Sequence, residues 1–336
     1  MNILITSAGR RSYLVRYFRE ALAGKGLVHA GNSVYSAALQ VADKAVITPL
    51  IYNPQYICFL IDYCRQNDIA AIISVFDIDL PMLAKSKEIF NNEGIQVVVS
   101  DYEVTQICND KWNTYKFLRS NSIKTPSTFL GIDDAVKGLK AKYIEFPVII
   151  KPRRGMGSMS IYEAENMEEL HILFKRVRKE IFNTYLSYES ELCKEDCVII
   201  QEKIKGQEYG LDVVNDLHKN YVTSFLIKAN SMRGGETDWA ITEKNVLFDK
   251  LGKRLSTNLQ HVANLNVDCF MHDKKPYVLE MNCRFGGHYP FFHLAGANLP
   301  LAIIKWLNGE FADKELFEIR DGVEGIKDID PIVLKS

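Results

Sequence analysis

The chain has 336 residues, 47% of them hydrophobic and 25% charged, with a net charge of −1; this suits a soluble globular protein large enough for two or three lobes. So balanced a charge gives no electrostatic basis for nucleic acid or an anionic membrane as partner, and no apolar run approaches the roughly 20 residues that span a bilayer. The seven cysteines are odd in number and scattered, and Cys193-x₃-Cys197 has no second pair at zinc-like spacing, so reduced thiols and a cytoplasmic location are expected.

The first hundred residues alternate strand and helix signals. Asn2–Thr6 reads as a buried strand, cut off by Arg10 and Arg11 too early for a secretory h-region. Arg11–Ala23 follows as a helix with Leu14, Val15, Phe18 and Leu22 on one side, and Tyr56–Gln66 and Leu80–Asn91 as further helices. Strands are expected at Ala70–Val75 and Gln96–Val99. Alternation of this kind predicts a Rossmann-like α/β domain with a parallel sheet. Its first turn carries one glycine and no G-x-G-x-x-G, which does not support a dinucleotide site. Ligands of such sheets gather at the carboxyl ends of strands, placing Ser7, Gly9, Arg10 and the Asp77-x-Asp79 pair at a pocket rim; turn and cap roles explain each equally well. The pairs Arg10-Arg11 and Arg153-Arg154 suit small anionic ligands.

A helix is expected over Asp110–Ser120 and a break at Thr125-Pro126. Phe146–Lys151 reads as a strand ending in lysine, Ile161 resumes a strand, and Met167–Tyr185 reads as a long helix. Between the strands, Gly155 and Gly157 let backbone N–H groups approach phosphate oxygens, and Ser158 and Ser160 add hydroxyls. No Gly-Lys-Ser/Thr follows, so this is not a Walker loop, and a glycine hairpin turn explains it about as well. Lys111 gains interest beside Lys151 as a second cation for the same phosphates.

Val198–Glu202 reads as a buried strand, and Gln207–Val214 and Tyr221–Lys228 as paired antiparallel strands. A chain leaving a strand beside a cleft, as Gln201 to Glu208 does, offers peptide groups to a flat heterocycle, and Glu208 suits a ribose diol; a charged surface turn is the bland alternative. Asn266–Arg284 then reads as a hairpin whose polar turn contains Pro276. A turn symmetric about Lys274 sets Asp268 opposite Glu280, and Asn282 shares the face of Glu280. Two carboxylates and an amide oxygen of this kind suit Mg²⁺ or Mn²⁺, and Arg284 beside them suits a phosphate or acyl-phosphate oxygen. A helix is expected over Leu299–Leu307.

Taken in order, Asp110-Lys111, Phe-Pro-Val-Ile-Ile-Lys151-Pro, the Gly155/Gly157 loop, Gln201-Glu-Lys-Ile-x-Gly-x-Glu208, Asp268 and Glu280-Met-Asn-Cys-Arg284-Phe-Gly-Gly287 resemble the ATP-grasp superfamily, most closely one synthetase unit of a carbamoyl-phosphate synthase large subunit. The resemblance implies a pre-ATP-grasp domain (1–100), a small lobe with its linking helix (101–204) and a large lobe with the metal site (205–336). It implies that Lys111, Lys151, Arg154, Gly155, Gly157 and Ser158 bind ATP phosphates, that Gln201, Glu202, Lys203 and Ile204 form the adenine hinge, and that Glu208 binds ribose. Asp268, Glu280 and Asn282 would hold Mg²⁺, with Arg284 and Lys151 as catalytic residues; family members more often carry Glu where Asp268 stands.

The implied reaction activates a carboxylate as an acyl phosphate and joins it to an amine, releasing ADP and phosphate. Arg10, Arg233, Glu236, Gly287 and His288 are the candidates for the acid and amine, which points to an amino-acid acceptor; the glycine pair after Arg233 would equally make a hairpin turn. His288 and His293 would shape this pocket or serve structure alone. Carbamoyl-phosphate synthesis itself is not expected, since the sequence supplies one unit and no glutaminase signature. Small molecules are the expected partners, with a homodimer left open. The other reading, a regulatory ATP-binding protein without turnover, is disfavoured by retention of all three metal candidates and Arg284.

Overall fold

The computed structural model describes residues 1–329 and Val333, so the end of the expected 205–336 segment lies outside the described residues. Strands β1 (Asn2–Thr6), β2 (Val28–Asn32), β3 (Lys44–Ile47), β4 (Ile69–Ser74) and β5 (Gln96–Val98) form a parallel sheet in the order β3-β2-β1-β4-β5. Successive residues of β1 enter different cores: Ile3 and Ile5 join one, and Leu4 the other. A strand buried on both faces reads as a continuous apolar run, as Asn2–Thr6 does. Helix Ser12–Leu22 buries Leu14, Val15, Phe18 and Leu22 as its periodicity predicts.

Strands β6 (Thr128–Leu130), β7 (Val148–Pro152), β8 (Tyr162–Ala164) and β9 (Val198–Glu202) make an antiparallel sheet, β6-β9-β7-β8, with a core of its own around Ile150, Leu170, Val177 and Ile200. Strands β10 (Gln207–Asn215), β11 (Tyr221–Arg233), β12 (Glu236–Thr242), β13 (Asn264–His272), β14 (Lys275–Asn282) and β15 (Glu324–Ile326) form the third sheet, β14-β13-β10-β11-β12-β15. Both cores of the first sheet continue into this one, through Val214 and Phe225 on one side and Leu211, Val213 and Val267 on the other. The architecture is a Rossmann-like domain joined to a two-lobed α/β grasp.

Three expectations change. The segment expected as one helix, Leu80–Asn91, divides at Ser86 into Asp79–Lys85 and Lys87–Asn92, because Ser86 leaves the helical region at φ −100°, ψ 4°. The helix expected to reach Tyr185 ends at Phe182. The turn of the β13–β14 hairpin is Asp273-Lys274, both with positive φ, and not one centred on Lys274. Pro276 lies in β14, where an edge strand tolerates it. That turn alone would pair Asp268 with Leu279; an irregularity in the ladder between Asp268 and Cys269 inserts one residue and restores Asp268 opposite Glu280.

One buried carboxylate fixes the end of β1. Asp79 accepts hydrogen bonds from Thr6 Oγ1 (2.6 Å), Ser74 Oγ (2.8 Å), Tyr56 Oη (2.9 Å) and Ser7 Oγ (3.1 Å). It is thus an anchor beneath the rim, unlike Asp77, which faces the cavity. Ser7 is held at φ 52°, a left-handed conformation that costs energy in a residue with a Cβ. Asp79→Ala strands several buried hydroxyls and is expected to cost about 2–4 kcal/mol in urea titrations, with Asp79→Asn costing less.

Candidate active site

The three sheets enclose a cavity of about 900 Å³. Of the residues expected to bind nucleotide, metal or substrate, Arg154 and Arg233 do not line it, and neither does the loop residue Ser160. Arg154 points away, to Asp110 (3.3 Å) and Glu189 (3.8 Å), because the carboxylate of Asp110 is buried on that side. Arg233 reaches Asp238 (2.5 Å) and the Lys327 carbonyl (2.9 Å), so it braces strands outside the cavity. His293 also stands apart, stacked on Tyr17 at 3.6 Å between ring centres.

The cations are held rigidly. Lys151 leaves β7 fully buried, and its Nζ donates to Gln201 Oε1 at 2.8 Å; Gln201 Nε2 donates to Thr128 Oγ1, which fixes the amide. Burial pushes the Lys151 ammonium down from 10.5 to about 8, with Lys111 adding to the shift and Glu280 opposing it. Lys111 opens helix Lys111–Ser120, capped by Asp110, whose side chain accepts from the N–H groups of Trp112 and Asn113. Its Nζ donates to the Gly155 carbonyl (2.6 Å) and lies 3.1 Å from Glu280 Oε1. The loop Gly155–Ser160 takes left-handed φ at Gly157, Ser158 and Ser160. Its tip abuts the hairpin of β11 and β12, where any Cβ on Gly235 would strike Gly157 and Ser158.

Asp268, Glu280 and Asn282 project into the cavity from β13 and β14, and Leu279, displaced by the bulge, lines it beside them. Asp268 lines the cavity deep in the protein, with 39% of its side chain still accessible. That burial, with Glu280 opposite, pushes its carboxyl up to about 7. Two oxygens of like charge and one amide oxygen fit a hard divalent ion that draws its remaining oxygens from phosphate and water. Among the described residues no cluster of three or more His, Cys, Asp or Glu could hold a metal without such help. Arg284 pairs with Asp77, joining the large sheet to the Rossmann-like domain (2.7 Å). Burial pushes His288 down to about 4, so its imidazole is neutral.

At the far end Arg11, absent from the expected set, lies 3.8 Å from Glu236, and Lys327 lies 3.4 Å from the same carboxylate. The basic pair Arg10-Arg11 was its only signal. Ile149, Phe270 and Leu279 line the cavity together with the segment Glu202–Ile204, and nothing in the sequence separates them from core residues. Glu202 is tied in place by the Ser127 N–H (3.0 Å).

A family model for the ATP-grasp domain matches residues 108–288, and one for the PylC-like N-terminal domain matches residues 3–98. The first covers more than half of the chain, which therefore belongs to the ATP-grasp family, a family of ATP- and Mg²⁺-dependent ligases. The carbamoyl phosphate synthase large chain of Pyrococcus furiosus is 26% identical over 310 residues, covering 83% of this chain and 28% of that one. The chain thus spans about a quarter of the length of such large-chain relatives. The biotin carboxylase domain of Hydrogenobacter thermophilus 2-oxoglutarate carboxylase, solved with MgADP, ADP and bicarbonate, superposes with a TM-score of 0.73 at 17% identity, over 96% of this chain and 73% of that one. An L-amino acid ligase from Bacillus licheniformis gives 0.67 at 18% identity, over 95% and 77%. No helix among the described residues is long and apolar enough to cross a membrane.

The Lys151 shift sets a pH dependence. Between about pH 8 and 10.5 the unfolded chain keeps a proton on Lys151 that the folded protein has lost, so this residue makes stability rise with pH across that window. Urea midpoints of the wild type and Lys151→Met, compared at pH 8 and 10, should show that the variant lacks this increment.

Proposed function

We propose that this protein is an ATP-dependent carboxylate–amine ligase that forms an acyl phosphate and then an amide-like bond, releasing ADP and phosphate. In this reading residues 1–100 are the pre-grasp domain, 101–204 the small lobe and 205–336 the large lobe. The supporting observation is that one cavity gathers the hinge, two lysines, a two-carboxylate-and-amide set, an arginine and the Ser7–Arg11 loop.

Glu202–Ile204 offers peptide groups to adenine between Ile149, Phe270 and Leu279, and Glu208 accepts from the ribose. Lys111 and Lys151 neutralise the phosphates, joined by N–H groups of the Gly155–Ser158 loop. Asp268, Glu280 and Asn282 would hold Mg²⁺, which when bound neutralises phosphate oxygens. A carboxylate oxygen of the acid attacks the γ-phosphorus, the bond to the β–γ bridging oxygen breaks, and ADP leaves. Arg284 then faces the acyl phosphate. The amine nitrogen attacks the acyl carbon, the carbon–oxygen bond to phosphate breaks, and the amine gives up a proton. Phosphoryl transfer needs placement and charge neutralisation more than a protein nucleophile. Arg10, Arg11, Glu236 and Gly287 face the end of the cavity left for acid and amine, which suits an amino acid.

A screen of small acids and amino acids for phosphate release should find release that requires both partners. Glu280→Gln should keep the fold by circular dichroism and lower turnover at least about 100-fold; release by ATP alone, unaltered by any acid or amine, would sink the ligase assignment. Arg11→Ala should raise the KM of the organic substrate about tenfold or more while the KM of ATP holds. A change confined to the KM of ATP would place this loop at the nucleotide instead.

A further inference from the structure

A single buried carboxylate organises the floor of the cavity. Asp212, on β10, has no solvent exposure; its Oδ1 accepts from Asn266 Nδ2 at 2.8 Å and its Oδ2 from Asn264 Nδ2 at 2.9 Å. Because both carboxylate oxygens act as acceptors, Asn266 must turn its amino group toward them. That nitrogen carries a second hydrogen, and it lies 2.6 Å from His288 Nδ1. Nδ1 is therefore an acceptor and bears no proton. The ring proton sits on Nε2, which is 3.3 Å from Asp268 Oδ1. Asp212 itself is 3.9 Å from Nδ1, too far to bond the ring directly, so Asn266 is the intermediary.

The backbone makes room for this arrangement. A Cβ on Gly210 would collide with the imidazole, and one on Gly286 would collide with the Asn266 amide. Both the strand beneath the ring and the loop that carries it lack side chains where ring and amide pass. Two strands and the loop that carries the ring thus fix one tautomer and one ring position beside Asp268.

We propose that His288 is a positioning residue of the metal site, its Nε2 held 3.3 Å from one oxygen of Asp268 so that the other is presented to the cation. The role expected of His288 was contact with the acid or amine; here it acts through Asp268. The inference rests on the Mg-nucleotide reading above. Partners that orient metal-ligating carboxylates commonly contribute 10–100-fold to metal affinity.

Mn²⁺ binding to the full-length protein with ADP, followed by electron paramagnetic resonance, tests it. His288→Leu is expected to weaken Mn²⁺ by about 10–100-fold while ADP affinity without metal is unchanged. His288→Gln, whose amide nitrogen reaches the place of Nε2, is expected to retain most of the affinity, which a merely structural role would not predict. Equal Mn²⁺ affinity in wild type and folded His288→Leu overturns the proposal. Wild type that binds no Mn²⁺ with ADP refutes the metal reading on which it rests, a separate result. Should His288→Leu fail to fold, ¹⁵N shifts of wild-type His288 decide: the Nε2–H tautomer is expected, and Nδ1–H overturns the assignment.

Discussion

Lys111 and Lys151 meet Asp268 and Glu280 inside one desolvated cavity, and keeping all four ionised there constrains everything around them. Burial favours the neutral form of two of them: it draws Lys151 down to about 8 and, with Glu280 opposite, Asp268 up to about 7. Direct pairing would relieve the cost, yet only Lys111 and Glu280 come within 3.1 Å. The others are kept from collapsing onto one another because each hangs from a different rigid support. Gln201 holds Lys151, and the β13–β14 ladder holds Asp268. The result is a cavity with cations on one wall and carboxylates on the other. A polyphosphate with a divalent ion has the same alternation of charge, and binding it would remove both penalties at once.

Packing divides the molecule differently from the chain order. The first sheet and the large sheet share two continuous cores, so they move as one body, whereas the sheet bearing Lys151 has its own core. Its fastenings to the rest near the cavity include the stack of Tyr52 on Tyr188 at 4.3 Å, the Lys111–Gly155 hydrogen bond and the abutment of Gly157 on Gly235. Such contacts bury little apolar surface compared with a shared core. The sheet bearing Lys151 is therefore the part that can open at least cost, and in the ligase reading it carries the loop that a nucleotide must pass.

The elements that were legible in the sequence are those in which local pattern and tertiary role agree. Asn2–Thr6, Tyr56–Gln66 and Leu299–Leu307 fall where periodicity sets them. Val28–Asn32 escaped notice because His29, Gly31 and Asn32 mask a strand that only burial against β1 and β3 completes. The β13–β14 hairpin is more instructive. Asp268 does face Glu280, but a tighter turn and a bulge cancel, so the pairing came from two compensating departures from a symmetric hairpin. No local rule reports a bulge, whereas the two-residue spacing of Glu280 and Asn282 survives any register. The missed floor of the site had one visible signal, Asp212 between the apolar residues Leu211 and Val213-Val214; its partners Asn264 and Asn266 lie more than fifty residues on and are joined to it only by the fold.

Arg233 shows how a charged motif can belong to a site without touching a ligand. By holding Asp238 and the Lys327 carbonyl, it ties β15 and the residue after it to β12, and this brings the Lys327 ammonium to Glu236. Burial works against ionisation of Glu236, but Arg11 and Lys327 outweigh it and keep the carboxyl below its usual range. A carboxylate held charged by two cations is not a free receptor for a third. In the ligase reading, an amine that reaches Glu236 must displace part of what Arg11 supplies, and Arg11 is then released toward an anionic group on the same substrate. A zwitterion satisfies both halves of that exchange, whereas a simple amine leaves the guanidinium unpaired in a confined space.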